Sequence, residues 1–215
     1  MNLALYDYFR SSASFRVRIA LHLKNLPFDV IPIHLVNNNG EQHHEQYKKI
    51  NPFALVPTLQ NNQERLTQSI AIIEYLNELH PEPALLPNDI YTRAQCRSFA
   101  LAIAADMHPL NNLRVLKYLT ETLQISEDEK TNWYHHWINK GLSGLEEVLS
   151  QHAPNKYCFG SYPTLADICL IPQLYNARRF NCDLTSYPNL TRVEESCLAH
   201  PAFEAAIPRE PVLGT

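Results

Sequence analysis

The stretch LALYDYFRSSASFRVRIALHLKNLPFDVIPIHL, residues 3–35, decides how this chain begins to fold. Leu3, Ala4, Leu5, Tyr6 and Tyr8 make a short apolar and aromatic run that stops at Arg10, Ser11 and Ser12, the pattern of a strand reaching a turn. From Ser14 to Leu26 the apolar side chains Phe15, Ile19, Ala20 and Leu23 recur at helical spacing, Arg16, His22 and Lys24 fall largely elsewhere, and a serine stands ready as N-cap. Pro27 ends that helix, having no N–H to give it. Phe28, Val30, Ile31, Ile33 and Leu35 then predict a second strand, whose Pro32 is tolerable only at a sheet edge.

Working outward, a polar loop and a short helix around Glu41 to Ile50 lead to Val56-Pro57-Thr58-Leu59 and Arg65-Leu66, a hairpin turning at Asn61-Asn62. Gln68-Ser69 open a buried helix through Ile70, Ile72, Ile73 and Leu76 that ends near His80 and Pro81. Pro81, Pro83 and Pro87 make a stiff connector. Beyond it, Tyr91 to Leu123, Asp128 to His152, Thr164 to Phe180 and Leu190 to Leu198 are helical in period, with no convincing strand. Thr164-Leu165-Ala166-Asp167 has the spacing of a capping box, which gives Thr164 and Asp167 a structural role. The expected organisation is an α/β domain over residues 1–80, a proline-rich linker over 81–89 and an all-helical domain over 90–215.

Several function classes fall away on composition. The chain has 215 residues and a formal net charge of −4, with no basic stripe to match nucleic acid or anionic lipid. Met1 to Arg10 has no basic n-region and is broken by Asp7, so neither a signal peptide nor a membrane span is expected, and a cytoplasmic location is. Cys96, Cys158, Cys169, Cys182 and Cys197 are odd in number and contain no C-x-x-C, which argues for reduced, mostly buried thiols rather than disulfides or zinc. The histidines make no H-E-x-x-H, so no metal site is expected. Five glycines, of which only Gly141 and Gly144 are close, cannot build a dinucleotide or phosphate-binding loop.

Three segments carry a resemblance to a known family. Tyr8 to Leu21, YFRSSASFRVRIAL, resembles the signature of the zeta-class glutathione transferase and maleylacetoacetate isomerase family, with Ala13 where the signature usually has cysteine. Asn51-Pro52, Val56-Pro57-Thr58-Leu59 and Gln68-Ser69 resemble that family's glutathione-binding half. His108-Pro109-Leu110-Asn111-Asn112-Leu113-Arg114 and Asn176-Ala177-Arg178-Arg179-Phe180 resemble its bacterial members. The resemblance covers nearly the whole chain and implies a thioredoxin-like first domain, glutathione as cofactor, a small diketo acid as substrate and a homodimer.

The chemistry implied is isomerisation of a cis diketo acid by addition of the glutathione thiolate to its double bond, rotation and elimination. A cysteine-like thiol titrates near ~8.5, and lowering that by about two units requires roughly 2.7 kcal/mol. A hydrogen bond to a charged group contributes about 1.5 to 3 kcal/mol and a helix N-terminus about 0.3 to 1, so a serine opening a helix is sufficient without a histidine base. Taken alone, Ser11 and Ser12 read as N-caps; with the resemblance they become the thiol-activating pair, Ser11 first, beside Arg10. Taken alone, Val56-Pro57 is a turn; the resemblance implies a cis peptide that turns the Val56 backbone toward the cysteinyl part of glutathione. Ser69, assisted by Gln68, is expected to hold the γ-glutamyl carboxylate at a helix start, and Gln42, read as a surface glutamine, matches a further glutathione contact.

Arg10 and Arg179 are the expected forks for the substrate's oxygens, clamping it from the two domains. Arg16 and Arg178 are assigned to surface ion pairs. His108 and Asn112 are expected to meet glutathione, and Asn111 and Arg114 the substrate. Maleylacetoacetate is the leading substrate. Maleylpyruvate is the alternative, because the same addition and elimination serves both; a general transferase and a non-catalytic binding protein of the same fold also stay open.

Overall fold

The computed structural model describes residues 2–151 and 153–210, and it divides into two compact units. One takes in the chain up to Ala84 together with the segment from His200 onward; the other is Leu85–Ala199.

The first unit is built on a four-stranded sheet in the order β2-β1-β3-β4, from β1 (Leu3–Asp7), β2 (Phe28–Pro32), β3 (Thr58–Asn61) and β4 (Glu64–Thr67). β1 runs parallel to β2 and antiparallel to β3, and β4 closes the hairpin with β3. Pro32 lies on β2, an edge strand, where its missing N–H leaves no gap inside the sheet. The helices α1 (Ser12–Leu23) and α3 (Ser69–Leu79) pack together, and Leu3, Leu5, Phe15, Val17, Ile19, Leu59, Ile72 and Leu76 form the buried core beneath them. Alternation along β1 sends Tyr6 and Tyr8 to the other face, into a second cluster with Tyr47 and Val56. The expected helix over 41–50 is a short 3-10 turn, Glu41–His43, followed by α2 (Glu45–Lys48).

Two differences from expectation in this unit have local causes. α1 starts at Ser12 rather than Ser14, because Ser11 is the N-cap, and it stops at Leu23, where Asn25 enters a left-handed conformation at φ 53°. The hairpin turn sits one residue later than expected: Asn61 still pairs with Glu64, and Asn62, at φ 54°, turns the chain.

A buried ion pair organises the approach to α1. Both carboxylate oxygens of Asp7, at the end of β1, accept from Arg18 Nη1 at 2.7 and 2.9 Å. The same guanidinium donates from Nη2 to Phe9 O at 3.0 Å and from Nε to Ala206 O at 3.2 Å. Burial pushes the Asp7 carboxyl above its ordinary pKa, while Arg18 and the Ser14 hydroxyl pull it the other way. The last of these bonds carries α10 (Pro201–Ala206) onto α1, so a segment that sequence places with the helical domain belongs with the first unit. At the far end of α1, Lys24 Nζ donates to Asn77 Oδ1 at 2.8 Å and to the carbonyls of His80 and Pro83 at 2.6 Å each, fastening the chain that leaves α3.

The second unit is helical throughout its elements: α4 (Ile90–Leu101), α5 (His108–Leu110), α6 (Leu113–Lys117), α7 (Glu127–Ser150), α8 (Leu165–Arg179) and α9 (Pro188–Leu198). The long helix expected from Tyr91 to Leu123 is broken by π-turns at Ala102–Met107 and Tyr118–Thr122 and by the Pro109 to Asn112 corner, where Asn112 caps α6. His152, the expected end of the next helix, lies outside the described residues; α7 is described to Ser150. Asp167 performs the capping expected of it: its carboxylate accepts from the N–H and hydroxyl of Thr164 at 2.8 Å and from the N–H of Cys158 at 2.8 Å, and its residue is fully buried.

Arg18→Met leaves Asp7 buried without its cation, and the loss expected is about 3–5 kcal/mol in the urea midpoint analysis. Asp167→Ala strands two buried N–H groups and a hydroxyl, and a loss of about 2–4 kcal/mol is expected by the same measurement.

Candidate functional site

Within the first unit, two helix N-termini carry the expected glutathione residues. The turn from Tyr8 to Ser11 closes with Ser11 N–H donating to Tyr8 O at 2.8 Å, and α1 begins with Phe15 N–H donating to Ser11 O at 2.8 Å. Ser11 Oγ accepts from the Ser14 N–H at 3.2 Å. Because the hydroxyl accepts within the cap, its proton is left for an outside acceptor, and the half-buried position gives such an acceptor access. Ser12, the first residue of the helix, is buried at 4% exposure, whereas Ala13 is half-buried like Ser11. Arg10 is exposed, with its guanidinium 4.8 Å above the Phe9 ring.

The second N-terminus is that of α3. Gln68 precedes it at φ 69°, ψ 113°, a strained left-handed conformation for a residue with a Cβ. Ser69 is the first helical residue, 6% exposed, and its Oγ accepts from Arg16 Nη1 at 3.1 Å. Arg16, assigned by sequence to the surface, is therefore a correction: it is 2% exposed and joins the first turns of α1 and α3, because its place on α1 faces the core rather than solvent.

The Val56-Pro57 peptide is cis. The loop that leads to it is held by Tyr47, whose hydroxyl donates to Leu55 O at 2.7 Å, and by Asn51, whose Nδ2 donates to the same carbonyl at 2.7 Å and whose Oδ1 accepts from Phe53 N–H at 3.0 Å. Among the described residues no backbone hydrogen bond engages Val56, which leaves its N–H and C=O for an extended ligand. Gln42 is not the surface residue expected. It is buried at 8% exposure, its Nε2 lies 3.5 Å from Leu35 O and 3.1 Å from His43 Nε2, and Gly40, at φ 88°, leaves space for it that a Cβ would take. Its Oε1 is buried without a partner.

The second unit gathers its own expected residues around α7. Asn111 Nδ2 donates to Tyr134 O at 3.2 Å, and Trp133 Nε1 donates to Leu110 O at 2.9 Å, which fixes the corner containing His108, Asn111 and Asn112. Phe180 stacks on Tyr134 at 3.9 Å and 19°, and its carbonyl meets His135 Nε2 at 2.7 Å. Arg179 is exposed at the end of α8, its guanidinium 5.2 Å from the Phe180 ring and its Nη1 donating to Asn176 Oδ1 at 3.2 Å. Asn111 and Arg179 thus share Tyr134 as a neighbour through Phe180, and burial holds the Tyr134 hydroxyl protonated by pushing its pKa up. Sequence reading missed Tyr134 and His135; the aromatic run Trp133 to Trp137 was the available signal. Arg114 is exposed on α6 and Asn112 Oδ1 accepts from its N–H at 3.1 Å. Arg178 forms the expected ion pair, with Glu194 at 2.5 Å.

A cavity of about 530 Å³ lies between α4 and α7, walled by Phe99, Met107, Leu110, Trp137 and Leu145. None of the expected site residues lines it, and with one lysine and one aspartate on its wall it has no fork for a diacid, so the chemistry is not placed there. Among the described residues, no group of three metal-binding side chains occurs and no helix is long and apolar enough to cross a membrane.

Two family models match the chain, the glutathione S-transferase N-terminal domain over residues 10–79 and its C-terminal domain over 136–201. A probable maleylacetoacetate isomerase of Vibrio cholerae is 49% identical over 97% of this chain and 96% of its own length. The chain belongs to the glutathione S-transferase family. Among solved structures, the holo form of a maleylpyruvate isomerase, described as a bacterial zeta-class glutathione S-transferase, is 41% identical with a TM-score of 0.93 over 95% of this chain and 96% of that one. A maleylacetoacetate isomerase of Methylobacterium extorquens AM1 with bound malonate and glutathione is 35% identical, with a TM-score of 0.93 over 99% of this chain and 100% of that one. The zeta-class assignment read from Tyr8 to Leu21 agrees with these relatives.

Four of the five cysteines of this glutathione S-transferase are held as neutral thiols. Burial pushes Cys96 and Cys182 up to about 11 and Cys158 and Cys197 higher still. A thiol-specific disulfide reagent at neutral pH is expected to leave these four unreacted on the minute timescale in the folded protein and to count all five cysteines after denaturation.

Proposed function

We propose that this protein is a glutathione-dependent cis–trans isomerase that converts maleylacetoacetate to fumarylacetoacetate, a step of phenylalanine and tyrosine breakdown. The observation that carries the reading is the Ser11 cap: a half-buried hydroxyl held as acceptor by Ser14 N–H at a helix N-terminus keeps its proton for a ligand thiolate. Glutathione lies with its γ-glutamyl carboxylate at Ser69 and Gln68 and its cysteinyl backbone along Val56, with Gln42, His108 and Asn112 as further contacts.

The thiolate sulfur adds to an olefinic carbon conjugated to a carbonyl. The π electrons move onto that carbonyl oxygen as an enolate, and the former double bond becomes single. After rotation, the enolate collapses, the carbon–sulfur bond breaks and the trans double bond forms, returning the thiolate unchanged. Arg10 in the first unit and Arg179, Asn111 and Arg114 in the second are assigned to the carboxylate and enolate oxygens, and Ser12 supports Ser11. Ala13 removes any protein thiol from this position, so glutathione supplies the nucleophile. The reading includes a homodimer in the cytoplasm.

Maleylpyruvate is the second reading, favoured by the likeness to the maleylpyruvate isomerase structure and by the same electron flow. The test follows cis-to-trans conversion of the two substrates separately, with and without glutathione. Turnover that requires glutathione and does not consume it is expected. Ser11→Ala is expected to lower kcat/KM by ~10- to 100-fold, the loss of one charge-assisted hydrogen bond, and Arg179→Ala to raise KM by a similar factor. Absence of isomerisation with both substrates overturns the proposal in favour of a transferase or a non-catalytic binding protein.

A further inference from the structure

Arg16 takes no part in the steps above, yet its guanidinium is placed in the interior of the first unit, at 2% exposure, with Nη1 donating to Ser69 Oγ at 3.1 Å. The direction of that bond is forced, because a guanidinium has five donors and no acceptor. Ser69 Oγ must therefore accept. A hydroxyl has one proton, and with Arg16 on a lone pair that proton is directed to another acceptor. Ser69 stands at the first position of the 11-residue helix α3, behind the strained Gln68, where helix N–H groups already favour an anion.

We propose that Arg16 is a specificity-determining positioning residue. By holding a lone pair of Ser69 Oγ it fixes the hydroxyl and keeps its proton for the ligand. The fixed charge of Arg16 then favours an anionic acceptor, the free α-carboxylate of the γ-glutamyl end of glutathione, over the corresponding carboxamide, whose carbonyl can take the same hydrogen bond but carries no charge. That charge attracts a carboxylate and is indifferent to a neutral amide. The inference rests on the assignment of Ser69 to the glutathione carboxylate. It adds to that assignment a residue that does not touch the ligand.

The experiment is isothermal titration calorimetry of glutathione, and of glutathione carboxamidated at the γ-glutamyl α-carboxylate, with the full-length protein and its Arg16→Met, Arg16→Lys and Ser69→Ala forms. The wild type is expected to prefer the free acid. Arg16→Met is expected to weaken glutathione ~10- to 30-fold, the scale of a hydrogen bond to a charged group, while changing the carboxamide by no more than about twofold. Arg16→Lys, which keeps a donor-only cation, is expected to retain the preference to within about threefold. In turnover the Arg16→Met effect falls on KM for glutathione, with kcat at saturation within about twofold.

A purely structural role predicts something else: both ligands weakened alike, with their ratio unchanged, and that result overturns the proposal. Should Arg16→Met fail to fold by circular dichroism, Arg16→Gln replaces it. Its amide is neutral, so the same narrowing of the ratio is expected and its absence counts against the proposal. A wild type that binds both ligands equally overturns the Arg16 role and leaves glutathione binding standing. A wild type that does not bind glutathione overturns the functional reading and this inference with it.

Discussion

The guanidinium of Arg18 is the constraint on which the first unit depends. It neutralises Asp7 at the end of β1, holds the Phe9 carbonyl in the following turn and takes the Ala206 carbonyl from the far end of the chain. One planar fork thus sets the direction in which the chain leaves the sheet, and the direction decides where Ser11 caps α1. A lysine would offer a single point of charge and could not hold three diverging acceptors in fixed geometry. Taking two charges out of water is costly, and the pair is tolerable here because each remaining donor of the guanidinium that faces protein finds a carbonyl.

The two serines of the first unit share a logic of polarity. Ser11 accepts from a backbone N–H and Ser69 accepts from Arg16, so in each the protein uses the oxygen's lone pair and leaves the proton to a ligand. Both stand at helix N-termini, where unsatisfied N–H groups add to the attraction for negative charge. In the proposed placement of glutathione these positions meet its thiolate and its γ-glutamyl carboxylate, and a hydroxyl with its proton to give suits each. Arg16 and Arg18, two residues apart on α1, reach different partners because a two-residue step turns a helix by somewhat more than half a revolution. One serves β1 and α10, the other α3.

In the second unit the aromatic side chains do comparable work. Tyr134 and Phe180 stack face to face, and the residues expected to meet the substrate lean on that pair, Asn111 through the Tyr134 carbonyl and Arg179 over the Phe180 ring. Asp167 supplies rigidity beneath, by collecting three donors from the turn that precedes α8. The thiols around it are buried among apolar groups and kept protonated, which leaves nucleophilic chemistry to a diffusible thiol.

What sequence determined is the local grammar. The period change from Leu3–Tyr8 to Phe15–Leu23, the prolines at 27, 81 and 83, the Thr164–Asp167 box and the serines at helix starts were legible because each acts over a few residues of chain, and the same is true of the motif that marks the family. The cis state of Val56-Pro57 was readable only through resemblance, since most such dipeptides are trans. Tertiary structure alone decided which arginine is interior and which is not. Arg10, Arg16, Arg18, Arg178 and Arg179 are equal letters in a sequence, yet one stacks in solvent on Phe9, one fixes a hydroxyl, one holds a buried carboxylate, and of the two in the last turn of α8 one pairs with Glu194 and the other lies by the Phe180 ring. The partners that separate them lie 53 residues away for Arg16 and as far as 188 for Arg18, and a long-range partner leaves no periodicity for sequence to show.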